Sequence, residues 1–332
     1  MNEIQKYLAE EHYEDYREGQ ITRRELFRRV TLILGSGAAA TAFIAACGGA
    51  PAAVQSPAPS AAPATATAAA TPTAAATAAV PYATPPAQRT TDGVTVQEND
   101  PRINAGPLNP KASDGAELIG YFARPRAEGR YPGILVIHEN RGLTDHIKDV
   151  VRRVATANFT AISIDLVSRD GGAAKLTDQA AYNAALGKRS VADMVKDEQS
   201  AIDFLRTQPS VNAARIGATG FCFGGGMVWD LLGAGTALQA AVPFYGPTPQ
   251  DPSGVGSTKA NVLGVYAGDD TRVNSGKDAI EAQLKKAGVV YQLNVYPGVS
   301  HAFHNDTGQA YNPDQARRAW IDTIDWFQRN LR

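Results

Sequence analysis

Cysteine is scarce in this chain, which has two among 332 residues. A disulfide scaffold or a Cys-rich zinc or iron–sulfur site needs more, so both are excluded. A surplus of positive charge is also lacking, because 32 Lys and Arg stand against 33 Asp and Glu, for a net charge of −1. A chain so balanced lacks the basic footprint of a nucleic-acid-binding protein, and we expect no nucleic-acid partner.

Long apolar runs are missing too, since none reaches the ~20 residues of a comfortable membrane span. The run from Val30 to Ala46 comes near, with 17 uncharged residues. It follows the arginine-rich stretch Thr22–Arg29 and ends in Ile44-Ala45-Ala46-Cys47. A positively charged segment, an apolar segment and small residues at a cleavage site are the parts of a secretory signal.

Two details make that prediction more specific. The pair Arg23-Arg24, followed by Leu-Phe, resembles the twin-arginine export motif. The ending Ile-Ala-Ala-Cys resembles a bacterial lipobox, whose cysteine becomes the lipidated first residue of the mature protein. We therefore expect residues 1–47 to direct export, with lipid anchoring to the cell membrane through Cys47. The alternative is a plain N-terminal membrane anchor that is left uncleaved.

Residues 48–90 have almost no charge and no apolar period. Ala, Pro and Thr supply 33 of these 43 residues, and Arg89 is the single charged one. Such a composition cannot bury enough apolar surface to offset the entropy lost on ordering. The segment is predicted to be a disordered, extended spacer between the membrane and the folded domain.

Residues 91–332 are predicted to be the folded domain, and their number suits one α/β domain. Short apolar runs alternate with helical patterns, which predicts a mostly parallel sheet with helices on both faces. Inner runs such as Gly133–Ile137 are continuously apolar, as in strands buried on both sides. The predicted strands are Gly115–Ala123, Tyr131–His138, Thr160–Leu166, Arg215–Thr219, Ala240–Tyr245, Val262–Ala267 and Val290–Tyr296. The predicted helices are Asp145–Ala157, Ser190–Gln208, Gly276–Ala287 and Pro313–Asn330, with another beginning near Gly225.

The most informative motif is Gly220-Phe221-Cys222-Phe223-Gly224, which lies between a predicted strand and a predicted helix. This is Gly-x-Cys-x-Gly, a nucleophile elbow with cysteine in place of serine. The turn is tight and strained, so its flanks need glycine. The start of the helix offers N–H groups and a positive dipole end that can lower a thiol pKa and bind an oxyanion. The alternative is a tight turn with an inert buried cysteine.

A nucleophile needs a base, and the base needs an acid that orients it. In α/β-hydrolases the order along the chain is nucleophile, acid, histidine. Downstream of Cys222 the histidines are His301 and His304, and His301 is favoured because it lies in a loop just after a predicted strand. The acid should also follow a strand, and either Asp269 or Asp270 meets that condition.

With these motifs the domain resembles the dienelactone hydrolase family, the carboxymethylenebutenolidases, within the α/β-hydrolase superfamily. The resemblance covers roughly residues 95–332. Three segments carry it: His138-Glu139-Asn140-Arg141-Gly142, the elbow Gly220–Gly225, and Tyr296-Pro297-Gly298-Val299-Ser300-His301-Ala302-Phe303.

The resemblance implies a Cys-His-Asp triad of Cys222, His301 and Asp270, with Asp270 chosen over Asp269 by its place before Val273. Glu139 matches the family's glutamate, which takes the thiol proton when substrate binds. The alternative for Glu139 is a salt bridge, for example with Arg141. The resemblance also implies an oxyanion hole made by the backbone N–H groups of Asn140 and Phe223.

One departure limits the substrate. The family's prototype has an arginine soon after its histidine that holds a substrate carboxylate, whereas this chain has Asn305 there. A dienelactone carboxylate is therefore not assigned as the natural ligand.

The predicted function is cysteine-dependent hydrolysis of small lactones or esters through an acyl-enzyme. We expect no cofactor and no metal, because no cluster of metal-ligating residues is visible in the sequence. The alternatives are a general carboxylesterase and a surface binding protein without catalysis.

Overall fold

Eight strands form one sheet in the computed structural model, which describes residues 1–47 and 83–332. Strands β1 to β8 are Ile103–Pro107, Gly120–Pro125, Tyr131–Ile137, Thr160–Ile164, Val211–Phe221, Ala240–Phe244, Asn261–Ala267 and Tyr291–Tyr296. Their order across the sheet is β1-β2-β4-β3-β5-β6-β7-β8. The β1–β2 and β2–β4 pairs are antiparallel, and the remaining pairs are parallel.

Apolar residues run without interruption through the inner strands. Every residue of β4 and β6 is buried, as are the last five residues of β3. Such strands need cover on both faces of the sheet, and helices provide it. The predicted fold class, an α/β-hydrolase fold with a mostly parallel sheet flanked by helices, is confirmed.

Helices α1 to α11 connect and cover these strands. They are Glu3–Arg17, Arg23–Leu34, Gly37–Cys47, Asp145–Thr156, Gly172–Lys175, Gln179–Leu186, Val191–Thr207, Phe223–Gly233, Thr271–Asn274, Lys277–Ala287 and Pro313–Asn330. Helix α4 packs on β2 and β4, and α11 packs on β6 and β7. Helices α7 and α8 pack on β5 and on each other. Polar side chains cap several of the starts, for example Thr144 at α4, Ser190 at α7 and Asn312 at α11.

Several elements differ from the prediction. Strand β2 begins at Gly120 instead of Gly115, because residues before it make a turn in which Gly115 has φ 88°. Helix α8 begins at Phe223, two residues before the predicted start. Strand β1 was not predicted, since it is a short edge strand in which only Ile103 is buried.

The first 47 residues form α1, α2 and α3, and they pack on the domain. Helix α2 contacts α6, where Arg28 forms a 3.2 Å ion pair with Asp178. Helices α2 and α3 meet at an angle of 120°. Among the described helices none alone is long and apolar enough to cross a membrane, and the bent pair α2–α3 passes that test only by length and composition.

Of the predicted spacer, residues 48–90, positions 48–82 lie outside the described residues. Its last part does contact the domain. The indole N–H of Trp320 donates a 2.7 Å hydrogen bond to the carbonyl of Ala83, and the Tyr311 hydroxyl donates one to the carbonyl of Pro86. Residues 83–90 are thus placed against α11 and the loop that precedes it.

Candidate active site

Cys222 lies at the turn between β5 and α8, at the carboxyl edge of the sheet. Its backbone has φ 57° and ψ −118°, a strained conformation for a residue with a side chain. The turn holds this conformation because the N–H of Cys222 donates to the carbonyl of Phe244 at 3.1 Å. The strained backbone projects the thiol away from the sheet edge, as a nucleophile elbow requires.

Glycines allow this turn to close. A Cβ on Gly220 would clash with the carbonyl of Gly224, and a Cβ on Gly224 would clash with the carbonyls of Ile137 and His138. The elbow therefore packs backbone against backbone, and the glycines of the motif are needed for its geometry.

His301 and Asp270 meet beside the elbow. Asp270 follows β7, and His301 lies in the loop after β8. The Asp270 carboxylate and His301 Nδ1 are 2.5 Å apart, and the second carboxylate oxygen accepts the N–H of Val273 at 3.0 Å. Burial raises the pKa of Asp270, but the bonds to His301 and Val273 outweigh burial, so the pKa lies below its ordinary value.

The thiol completes this group. Cys222 Sγ, a ring nitrogen of His301 and a carboxylate oxygen of Glu11 all lie within 4.8 Å of one another. Burial, and then the charge of Glu11, raises the pKa of the Cys222 thiol, while His301 opposes that rise. Burial lowers the pKa of His301, but negative groups, Glu11 first, outweigh burial and raise it well above 6.5. The structure thus brings Cys222, His301 and Asp270 together, and Asp270 rather than Asp269 holds the histidine.

Glu139 is buried in the loop just after β3, at the same carboxyl edge of the sheet. Its carboxylate accepts a 2.7 Å hydrogen bond from the amide of Asn305. Arg141, the alternative partner considered from sequence, is exposed, and the Glu139 carboxylate is bonded to Asn305 instead. Asn305, at the position of the prototype's arginine, is therefore a partner of Glu139.

The two residues predicted to form the oxyanion hole line the same cleft, which has a volume of about 710 Å³. Asn140 follows β3, and Phe223 is the first residue of α8. The first N–H groups of a helix have no partner within it, so the N–H of Phe223 is suited to bind a developing negative charge.

His304, the other histidine downstream of Cys222, is fully buried. Its ring stacks on Phe221 at 5.1 Å, and burial lowers its pKa well below 6.5. The nearby Asp306 accepts hydrogen bonds from His146 at 2.8 Å and from Arg153 at 2.6 Å. These contacts attach the histidine loop to helix α4.

Helix α1 supplies side chains that sequence reasoning missed. The Tyr7 hydroxyl lies 3.1 Å from Cys222 Sγ. Glu11 forms an ion pair with Arg272 and lies 3.8 Å from His301 Nε2. Arg272 also lies over the Tyr7 ring, at 5.2 Å from its centroid.

A sequence signal for these residues exists but is weak. Ile4, Tyr7, Leu8 and Glu11 share one helical face, and all four are buried. The pattern indicates an amphipathic helix, yet it does not name the surface that the helix covers. Arg272 lies two residues after Asp270, so its nearness to the site follows from the acid once that residue is assigned.

The set Glu11, Cys222 and His301 has the donor types and spacing of a metal site. Arg272 argues against that use, because its positive charge is already paired with Glu11 and would repel a bound cation. The arrangement suits thiol chemistry better than metal binding.

Comparisons with known proteins agree with this geometry. The model of the dienelactone hydrolase family matches residues 118–331. A Methylorubrum extorquens protein that carries the name carboxymethylenebutenolidase is 33% identical over 235 residues, covering 68% of this chain and 80% of the relative. A Salmonella typhi protein of the same name is 29% identical over 253 residues, covering 73% and 93%.

Solved structures give the same result. A Klebsiella pneumoniae structure named as a dienelactone hydrolase has a TM-score of 0.63 and 28% identity, covering 68% of this chain and 98% of that one. A dienelactone hydrolase-like promiscuous phosphotriesterase from metagenomic libraries has a TM-score of 0.59 and 26% identity, covering 70% and 100%.

The sheet, the elbow at the end of β5 and the histidine loop after β8 define an α/β-hydrolase. Since the family model covers most of the chain, the chain belongs to the dienelactone hydrolase family. It is accordingly a hydrolase that acts on ester bonds.

Proposed function

We propose that the protein hydrolyses small lactones or activated esters, with Cys222 as the nucleophile. The observation that carries the proposal is the strained Cys222 backbone at the start of α8, next to a His301 ring bonded to Asp270 at 2.5 Å. In this arrangement the thiol, the ring and the carboxylate have the relative positions of nucleophile, base and orienting acid.

The proposed acylation begins when Glu139 accepts the thiol proton and Sγ attacks the carbonyl carbon. The oxyanion forms toward the N–H groups of Asn140 and Phe223. The C–O bond then breaks, and the leaving alkoxide takes a proton from the His301 imidazolium. In a lactone that alcohol stays attached to the acyl group.

Deacylation restores the starting state. Water attacks the acyl carbon and gives a proton to His301, and the tetrahedral intermediate expels the thiolate. The thiolate recovers its proton from Glu139, so the net reaction consumes one ester and one water. Asp270 holds the ring in one orientation throughout.

The test is detection of the acyl-enzyme. The full chain is mixed with p-nitrophenyl acetate, and the intact mass and the release of p-nitrophenol are followed. An acetyl group on Cys222, located by peptide mass, is expected in the unmutated chain and absent in Cys222→Ala. Esterase activity that survives in Cys222→Ala would exclude this mechanism, and a panel of small lactones extends the test to substrate class.

We also propose that residues 1–47 direct export and that Cys47 carries a lipid anchor. The support is the sequence: Arg23-Arg24, the uncharged run behind them, and the small residues before Cys47. Replacing both arginines by Lys should keep the protein in the cytoplasm. Replacing Cys47 by Ala should release it from the membrane fraction. An unmutated protein found wholly in the cytoplasm contradicts both steps.

A further inference from the structure

Helix α1 covers the thiol directly. Tyr7 and Glu11 are buried against the site, and Cys222 is only 4% exposed with α1 in place. The two side chains stand one helical turn apart on the same face, so one helix delivers both to the site. The Tyr7 ring also packs against Phe223, whose N–H belongs to the predicted oxyanion hole.

The position of Tyr7 is incompatible with attack on a carbonyl. A reacting carbon must approach Sγ to about 3–3.5 Å. The Tyr7 hydroxyl is already at 3.1 Å from Sγ, so it fills space beside the thiol within the distance that the carbonyl carbon must reach. A substrate can reach the thiol only after this side chain has left.

Glu11 also opposes the reaction. A carboxylate beside the thiol disfavours the thiolate, and a carboxylate 3.8 Å from His301 Nε2 stabilises the charged imidazolium and so makes it a weaker acid toward the leaving alkoxide. A fixed negative charge here also destabilises the oxyanion that forms during acyl transfer. Glu11 therefore holds both reacting groups in their protonated forms, and its bond to Arg272 keeps it there.

The rest of α1 is bound by specific contacts along its length. His12 is fully buried and meets the amide of Asn183 at 2.9 Å. The Asn2 amide donates to the carbonyl of Gly187 at 2.9 Å, and Glu3 accepts the N–H of Gln250 at 2.9 Å. These bonds reach both sides of the cleft, so α1 is docked in one orientation.

We propose that α1 is an autoinhibitory segment, which holds the hydrolase latent by placing Tyr7 on the nucleophile and Glu11 between His301 and Arg272. The proposal rests on the function proposed for Cys222. It gives residues 1–47 a second role beside export: the folded enzyme stays closed until this segment leaves the cleft.

The experiment compares three full-length chains. In Tyr7→Ala/Glu11→Ala both blocking side chains are removed. In the matched control, Glu14→Ala/Tyr16→Ala, the same residue types are removed from α1 where Glu14 pairs with Arg17 and Tyr16 packs toward α2. For each chain, kcat/KM for p-nitrophenyl acetate and the rate of Cys222 alkylation by iodoacetamide are measured, with peptide mass separating Cys222 from Cys47. Circular dichroism confirms the fold.

Removal of the blocking pair should raise both rates by about tenfold or more, since the observed rate scales with the open fraction. The control should match the unmutated chain. An equal or lower kcat/KM with unchanged alkylation overturns the proposal and makes α1 a neutral or catalytic part of the site. Faster alkylation with no hydrolysis in any chain supports the block and refutes the hydrolase mechanism, so the two failures are distinguishable.

Discussion

The amide of Asn305 donates a 2.7 Å hydrogen bond to the buried carboxylate of Glu139. The two residues come from different loops, after β8 and after β3, and their bond fixes the carboxylate that we propose as the acceptor of the thiol proton. The Asn305 side-chain oxygen in turn accepts the N–H of Thr307 at 3.0 Å, so the amide cannot turn over freely. The histidine loop therefore positions Glu139 as well as His301.

Loss of the Asn305 amide should weaken catalysis without removing it. In Asn305→Ala the Glu139 carboxylate loses its donor and its fixed position, and we expect kcat/KM for p-nitrophenyl acetate to fall by about tenfold, the equivalent of one hydrogen bond to a charged group. Asn305→Asp should be worse, because two carboxylates would then face each other. An unchanged kcat/KM in both variants would show that Glu139 needs no support from this loop.

The latency of the chain should depend on pH. The raised pKa of His301 and the raised pKa of the Cys222 thiol both belong to the docked state of α1. A raised histidine pKa contributes docking energy that is complete below about 6.5 and is lost as pH rises through the docked-state value. Formation of the Cys222 thiolate as pH rises also disfavours docking of α1, because Glu11 repels it. Arg272 stays charged over this range and continues to attract Glu11.

The ratio of kcat/KM between Tyr7→Ala/Glu11→Ala and the unmutated chain should therefore shrink as pH rises above 6.5. The same measurement on Glu11→Gln provides the control, because this variant lacks the charge that raises the histidine pKa. The ratio of kcat/KM between Tyr7→Ala/Glu11→Ala and Glu11→Gln should vary less with pH. A ratio that grows toward alkaline pH would mean that the sign of this coupling is wrong.

Much of the fold could be predicted because parallel strands leave a clear pattern. Strands β3 to β8 were located to within a few residues, since buried apolar runs alternate with amphipathic helices. Strand β1, Ile103–Pro107, carries no such pattern, because it lies at the sheet edge with one buried residue. Its pairing with β2 depends on contacts that local sequence does not encode.

The site was predictable where residues sit at fixed places relative to an element. Cys222, Asp270 and His301 each follow a strand, so the parallel sheet brings them to one edge. The Tyr7–Cys222 contact joins residues 215 positions apart, and no periodicity reports such a contact. Because the export motif at Arg23-Arg24 led residues 1–21 to be assigned to the signal, the sequence predicted no structural role for α1.

The domain boundary should lie nearer residue 83 than residue 91. A fragment of residues 91–332 keeps all eight described strands and is expected to fold, as the sequence predicted. A fragment of 83–332 keeps the bonds to Ala83 and Pro86 as well. These two part-buried hydrogen bonds are worth about 2 kcal/mol together. The longer fragment should melt about 4–8 °C higher, and equal melting temperatures would place the boundary at 91.

The last prediction concerns Asp306, a fully buried carboxylate held by His146 and Arg153. Burial raises its pKa, but the two partners outweigh burial and hold the pKa well below its ordinary value of 3.8. A lowered carboxyl pKa contributes stability that is present above about 3.9 and is lost as pH falls toward the folded-state value.

Asp306→Ala leaves the buried Arg153 guanidinium with Asp149 as its remaining carboxylate partner. Breaking a buried pair in this way costs about 3–5 kcal/mol, which for a domain of this size lowers the melting temperature by on the order of 10 °C. The destabilisation should be large at pH 7 and smaller near pH 3, where the unmutated protein begins to lose the same contribution. Because Asp306 follows His304 in the loop that carries His301, the esterase rate should fall as well. A variant that melts within 2 °C of the unmutated chain, a shift of roughly 1 kcal/mol or less, would mean that α4 does not hold the histidine loop through this carboxylate.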